Sequence, residues 1–332
     1  MSRPNSAARP RPSAPCSNSP NGRADRVAGT TATLDGAAAG SAPRRRRNYA
    51  RQYWWFVVPC GAVVLATIIF PWVFTLWMSA HEYRLGGGSS WVGFANYAKL
   101  VSDERFLLSI VRTLYFTALS VLIPMVLGLL AALAFHRKFP LRGLARTIFI
   151  LPMMATPVAV ALVWTMMFHP QLGVLNWLLQ QMGIPPSMWV YEASSVIPTL
   201  VMVEVWHWTP LVMLILLGGL ASLPIDPYEA AKIDGATPWQ AFRHITLPLL
   251  APFLVVALII RTIDALKAFD TIYVITQGGP GTASETINIF LYLQAFAYYN
   301  LGYASAVVVV FFTIIIALAM VLLWTRARVK DS

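Results

Sequence analysis

Six apolar stretches, each long enough to cross a bilayer, constrain this chain more than any other feature. They run approximately Trp54–Ala80, Leu107–Phe135, Leu144–Phe168, Val196–Leu220, Leu247–Ala268 and Gly302–Trp324. A helix needs about 20 residues to traverse a hydrocarbon core about 30 Å thick. A backbone in that core must also satisfy its own hydrogen bonds, which leaves helices as the elements available here. Composition supports a bilayer as solvent: 57% of residues are hydrophobic and only 12% are charged, against about 25% charged in soluble domains. The predicted fold is therefore all-α, a polytopic bundle of about six transmembrane helices. Several spans contain proline, namely Pro59, Pro71, Pro124, Pro152, Pro157, Pro198, Pro210 and Pro252. In a bundle, neighbouring helices and Ser/Thr hydroxyls can satisfy the backbone groups that proline frees, so kinked spans are expected.

The net charge of +11 would suit a nucleic-acid partner if it formed a groove. It does not. Arg44–Arg47 and Arg51 precede the first span; Arg137, Lys138, Arg142 and Arg146 surround the second loop; Arg326, Arg328 and Lys330 end the chain. The third loop, Pro170–Ser195, and the fifth, Asp270–Leu301, contain no Lys or Arg. The first loop mixes Arg84, Lys99 and Arg105 with Glu82, Asp103 and Glu104. This is a topology signal, which predicts both termini and the even loops in the cytoplasm. Trp91, Trp189, Tyr191, Tyr298, Tyr299 and Tyr303 suit an outer aromatic belt. Residues 1–50, rich in Ser, Pro, Ala, Gly and Arg, read as a disordered basic tail. Membrane lipids with anionic headgroups are expected partners of that tail. Cys16 and Cys60 offer neither a disulfide framework nor a metal spacing.

The expected organisation is a tail 1–50, a first span and outer loop 51–106, a five-span core 107–326 containing a long cytoplasmic loop at 221–248, and a C-terminal tail 327–332. That loop reads as two short helices and a turn. Asp226 is placed to cap the first, with Pro227 at its first position and Glu229 at its third. Gly235 can take the left-handed conformation that ends it. Thr237 is placed to cap the second, with Pro238 and Gln240 following. Trp239, Phe242 and Ile245 then recur at helical spacing. Two capped helices and an aromatic stripe suit a protein partner on that side. The pattern alone also fits helices that lie on the membrane or plug the bundle.

The stretch Glu229-Ala230-Ala231-Lys232-Ile233-Asp234-Gly235-Ala236, with Phe242, Ile245, Leu247 and Pro248 after it, resembles the EAA loop of ABC importer membrane subunits. All of the signature positions match. The resemblance implies a coupling loop docked on a separate ATPase subunit, with Glu229, Ala230, Ala231, Asp234, Gly235, Trp239, Phe242 and Ile245 at the contact. Downstream, Arg261-Thr262-Ile263-Asp264, Phe269-Asp270, Tyr273, Gly278-Gly279-Pro280-Gly281, Ala295-Phe296 and Gly302-Tyr303 look like the carbohydrate-importer branch. The branch transports sugars, polyols or glycerol phosphates. Together the matches reach from about the second span to the end. They imply a second homologous permease subunit, an external solute-binding protein, a sugar or polyol substrate, and the bacterial cytoplasmic (inner) membrane.

No G-x-x-x-x-G-K-[ST] is present, so ATP-driven transport would need a separate nucleotide-binding chain. The histidines are scattered, and no metal site, cofactor site or catalytic nucleophile with its base is expected. Glu204, His207, Arg261 and Asp264 instead fall inside apolar spans. A charge at a span's centre costs about 2.5–3.5 kcal/mol on insertion scales, so these groups should pair or face water. Arg261 and Asp264 are three apart on one helix and can meet. Depth offers a second pairing. Rising about 1.5 Å per residue, span five puts Arg261 ~21 Å from the inner boundary, and span four puts Glu204 ~12 Å below the outer one. In a ~30 Å core these depths nearly coincide, so Glu204 can reach Arg261. The same group is either a packing network or part of a solute path, where Trp206 and Trp208 beside His207 would suit a polyol. The segment Glu285–Tyr299, aromatic and without basic residues, is expected to form a short helix at the outer interface. An ion-coupled carrier using Glu204, Asp264 and Arg261 is the competing function, though it leaves the capped loop unexplained. A membrane-embedded enzyme and an importer of another solute class are the remaining alternatives.

Overall fold

A computed structural model describes residues 49–83 and 88–331. The expected tail, with Cys16 and Arg44–Arg47, lies almost wholly outside the described residues, as does Arg84. Of the described residues, 49–57 fall in one unit and the helical bundle is the unit from Val58 onward.

Among the described residues the elements are all helical apart from one hairpin. Helices α1 (Tyr49–Val64) and α2 (Phe70–Ser79) are joined by a π-turn, Leu65–Ile69. Strands β1 (His81–Tyr83) and β2 (Ser89–Trp91) pair antiparallel, His81 opposite Trp91. Then come α3 (Ala95–Ser102), α4 (Glu104–His136), α5 (Arg142–Met154), α6 (Pro157–Met167), α7 (Val174–Gln181) and α8 (Val196–Ala221). The long loop gives α9 (Asp226–Ile233) and α10 (Pro238–Ala241), and a second π-turn, Phe242–Thr246, leads into α11 (Leu247–Leu266). Helices α12 (Asp270–Thr276), α13 (Ile287–Tyr292) and α14 (Leu301–Asp331) complete the chain.

Among the described residues, five helical segments are long and apolar enough to cross a membrane: Tyr53–Ser79, Glu104–His136, Val196–Ala221, Pro238–Leu266 and Leu301–Val321. The expected third span differs. It is a pair, α5 and α6, bent by 95° between Met154 and Pro157. The cause is local. Thr156 takes an extended conformation (ψ 143°), as a residue before proline prefers, and Pro157 then opens a new helix at its first position. Six crossings result if the bent pair counts as one.

Small residues let the central helices approach. A Cβ on Gly128 of α4 would lie 2.6 Å from Val212 Cγ1 of α8, and one on Gly219 of α8 would lie 2.6 Å from the Phe253 ring of α11. With no hydrophobic drive between helices in lipid, such close packing is what holds them. Two buried clusters fill the contact: Phe116, Trp164, Leu200 and Val203 toward one end, and Ala132, Met213, Leu216 and Leu250 toward the other. Leu65, Phe70, Phe74 and Trp77 stay exposed on the first span, a surface suited to hydrocarbon.

One end of the bundle is tied by polar contacts. Asp103 caps α4 by accepting from the backbone N–H groups of Arg105 (3.0 Å) and Phe106 (3.2 Å), and its other oxygen accepts from Tyr303 Oη at 2.6 Å. Asn96 Nδ2 donates to the carbonyls of Ser79 (2.9 Å) and His81 (3.0 Å). Gly302 opens α14 so close to the His81 carbonyl that no side chain fits there. The expected helix within Glu285–Tyr299 is present as α13 and a third π-turn, Leu293–Ala297. Glu285 itself is buried and accepts from Arg105 Nε at 2.9 Å.

Candidate functional site

Two features carry chemistry: a buried polar group within the spans and the loop between α8 and α11.

The buried group centres on Arg261, which is fully buried on α11. Its Nη2 lies 3.5 Å from Glu204 Oε2 on α8 and 3.3 Å from the Ser120 carbonyl on α4. The pairing inferred from depth is therefore the one observed. The Glu204 contact is long beside the ~2.7–2.9 Å of a tight charge-assisted bond, so the carboxylate does not hold the guanidinium alone. The Trp208 ring, 5.0 Å from Arg261 Cζ, adds a cation–π contact. Nε and Nη1 of Arg261 have no hydrogen-bond partner. Asp264, expected as another partner, makes no direct ion pair with Arg261; it acts on it at longer range and lines a cavity of about 110 Å³ with Pro157, Glu204, Trp208, Phe269 and Asp270.

His207 joins a different feature. Its Nε2 lies 3.2 Å from the Ala155 carbonyl, and since a carbonyl only accepts, Nε2 is the donor. Ala155 sits at the break between α5 and α6. A helix end leaves carbonyls without partners, which is expensive away from water. His207 thus satisfies backbone at the bend and makes no bond to Glu204 or Arg261. Hydropathy offers no hint of this, because it does not reveal the bend. Lys267, Asp270 and Thr271 line the same cavity as Asp264 and are absent from the expected network. They mark where α11 ends and α12 begins, a break visible in the charged Lys267 and Asp270 around Phe269.

The loop has the expected hinge. Gly235 has φ +74°. Its N–H bonds the Lys232 carbonyl at 3.3 Å and the Ala236 N–H bonds the Ala231 carbonyl at 2.9 Å, the paired pattern of a Schellman ending. Thr237 caps α10 as expected. Its Oγ1 accepts from Gln240 N at 3.4 Å, while Gln240 Oε1 accepts from Thr237 N at 2.7 Å. The first cap is a correction. Asp226 is the first residue of α9, Ile225 holds the capping position, and no side chain caps it. Asp226 and Glu229 sit in the first turn, where negative charge still favours the helix dipole. Glu229, Ala230 and Asp234 are exposed, Ala231 and Ile245 less so. Ile233 is 86% and Trp239 68% exposed, and Trp239 packs on Phe242 with ring centroids 5.4 Å apart. Apolar groups that exposed on a polar loop form a surface fit for a protein partner.

Residues 124–329 match the model for the binding-protein-dependent transport system inner membrane component. The chain belongs to that family. This inner membrane component resembles the trehalose/maltose transport system permease protein MalF of Thermococcus litoralis, with 40% identity over 271 residues, 80% of this chain and 90% of that protein. It also resembles the trehalose transport system permease protein SugA of Mycobacterium tuberculosis, 34% identical over 273 residues, 82% of this chain and 87% of that one. Among solved structures, a chain of a bacterial alginate ABC transporter, crystallised with an alginate pentasaccharide-bound periplasmic protein, superposes with a TM-score of 0.76. That match covers 86% of this chain and 99% of the other at 22% identity. It shows that the inner membrane component has the ABC permease fold.

Proposed function

We propose that this protein is the channel-forming permease subunit of a binding-protein-dependent sugar importer. The observation that carries the reading is the hinged pair α9–α10, with Ile233 and Trp239 exposed on it, in the middle of an EAA sequence. In this reading the loop is cytoplasmic and seats Glu229, Ala230, Ala231, Asp234, Gly235, Trp239, Phe242 and Ile245 in a separate ATPase subunit. ATP hydrolysis belongs to that subunit. A second, related permease completes the path, and an external binding protein delivers the solute.

The solute class is a neutral sugar or polyol, as the names of relatives at 34–40% identity suggest. The cavity of about 110 Å³ beside Glu204 is smaller than a disaccharide but offers the groups a sugar ring would meet along a path. Carboxylates of Asp264 and Asp270 can accept hydrogen bonds from hydroxyls, and the Trp208 and Phe269 rings offer apolar faces. The Glu204–Arg261 pair fixes α8 against α11 behind it. Alternating access then requires α9–α10 to move α11, so that the cavity opens to one side at a time.

Reconstitution tests this. The permease pair, with its cognate ATPase and binding protein, is placed in proteoliposomes and offered labelled trehalose and labelled maltose. Uptake of one of them that needs both ATP and binding protein is expected. Uptake driven by an ion gradient without ATP refutes the importer reading and favours the ion-coupled carrier.

A further inference from the structure

Helix α9 has almost nothing to stand on. None of its residues is buried. Beside it opens a cleft of about 430 Å³, lined by Leu133, Leu220, Leu223, Ile225, Tyr228 and Thr246 among others, with Tyr228 as its contribution from α9. A packed interface transmits displacement because it cannot be compressed; an open cleft on this side gives α9 no such packed support. Besides its backbone connections, a helix seated this way acts on the bundle through specific side-chain contacts. Among the described residues, α9 makes one side-chain hydrogen bond to another element. Tyr228 Oη donates to Thr246 Oγ1 at 3.0 Å.

The acceptor sits where the helix is least regular. Thr246 is buried and is the last residue of the π-turn Phe242–Thr246 that opens span five. Its hydroxyl in turn faces the Ala241 carbonyl at 3.5 Å, five residues back across that turn. The Leu247 N–H closes the turn on the Phe242 carbonyl. A π-turn is wider and less regular than the helix around it, and such turns often mark functional points. Tyr228 therefore reaches past the cleft to the one loosened turn between α10 and α11.

We infer that the Tyr228–Thr246 hydrogen bond is the link through which movement of α9 reaches span five, making both residues positioning residues for coupling. The link rests on the coupling reading above. A push on α9 pulls Thr246, the π-turn adjusts its register, and α11 shifts as a rod, with Arg261 and Asp264 further along it. Without the link, α9 moves beside the cleft and α11 stays behind. The alternative is that the tyrosine ring merely fills part of the cleft, in which case its hydroxyl is dispensable.

The experiment compares the reconstituted complex bearing Tyr228→Phe, Thr246→Val, Thr246→Ser and the Phe/Val double variant, measuring uptake and ATP hydrolysed together, with co-purification of the ATPase as an assembly control. Losing one net hydrogen bond shifts a two-state balance about fivefold. Tyr228→Phe and Thr246→Val should each lower solute transported per ATP by about that factor, with the ATPase still bound. Thr246→Ser, which keeps the hydroxyl, should stay near wild type. The double variant should be no worse than Thr246→Val alone, because the second change removes a bond already gone. Full coupling in Tyr228→Phe, or multiplying losses in the double variant, overturns the link while the permease reading stands. A wild-type complex with no ATP-driven uptake overturns that reading and the link with it. Should Thr246→Val fail to assemble, Tyr228→Phe against Thr246→Ser still decides the matter.

Discussion

Replacing Gly235 by valine tests the coupling loop at its narrowest point. No heavy atom lies within 4 Å of the position a Cβ would take, so crowding plays no part. The backbone alone sets the cost. At φ +74° a side chain costs about 1–2 kcal/mol. The chain can escape that strain by leaving the left-handed region. It then gives up the Gly235–Lys232 and Ala236–Ala231 bonds, of 3.3 and 2.9 Å, together worth about 1–3 kcal/mol. The cheaper of the two routes bounds the cost at about 1–2 kcal/mol, a five- to thirtyfold shift in the population of the correct turn. That is too little to unfold a bundle whose helices are packed elsewhere. It is enough to swing α10 and carry Trp239 and Phe242 off the proposed ATPase partner. Expression and membrane insertion should stay near normal while solute-stimulated ATPase activity and uptake fall about tenfold. A graded series sharpens the test. Asparagine tolerates the left-handed region and should be mild, alanine intermediate and valine worst. Normal stimulation with valine refutes the hinge argument. Equal damage from asparagine and valine refutes its physical basis, since side-chain size at the docking surface would then be the cause.

Three other predictions are independent of the hinge. Glu204→Gln should sharply reduce folded yield by leaving Arg261 buried without its counter-charge, a cost of about 3–5 kcal/mol; adding Arg261→Gln should restore part of it, and strict additivity in detergent melting would mean the pair does not interact. Gly128→Ile should lower the melting temperature in detergent, because its Cβ would lie 2.6 Å from Val212 Cγ1 and 3.1 Å from the Met213 nitrogen, whereas Gly61→Ala, with nothing within 4 Å, should not; equal melting temperatures would show that α4 and α8 do not pack there. Reporter fusions after Arg142 and Ala236 should read cytoplasmic and one after Ser187 periplasmic, and a cytoplasmic signal at Ser187 would reverse the proposed orientation.

The spans were legible because hydropathy is a sum, and five of the six stretches are simple. The third was not, because a sum carries no direction. Leu144–Phe168 is apolar throughout, yet Thr156-Pro157 restarts the helix at nearly a right angle. His207 departs from expectation for the same reason, since its acceptor exists only at that bend. Glu204–Arg261 was legible because depth along two helices is simple geometry. The contribution of Trp208 was not, since it depends on rotation about the helix axis. In the loop, Gly235 and Thr237 behave as their chemistry dictates. Asp226 does not, because Pro227 is at home in any position of the first turn and lets the helix begin one residue early. The Tyr228–Thr246 contact joins residues 18 apart through a hydroxyl pair, and nothing in either residue's neighbours announces it.

The bend at Thr156-Pro157 also decides a matter of parity. Helix α5 has 13 residues and α6 has 11, rising about 20 Å and 16 Å. Neither alone traverses a ~30 Å core, so the two count as a crossing only in combination. Every later segment inherits the outcome. With the pair as a crossing, Arg137–Arg146 and α9–α10 are separated by two crossings and share a compartment. Were the pair to turn back, one crossing would separate them, and the EAA loop would emerge opposite the basic loop. In the proposed importer, the side on which this chain would meet its ATPase is thus set about seventy residues upstream of the loop assigned to that contact, by whether two half-length helices insert as one.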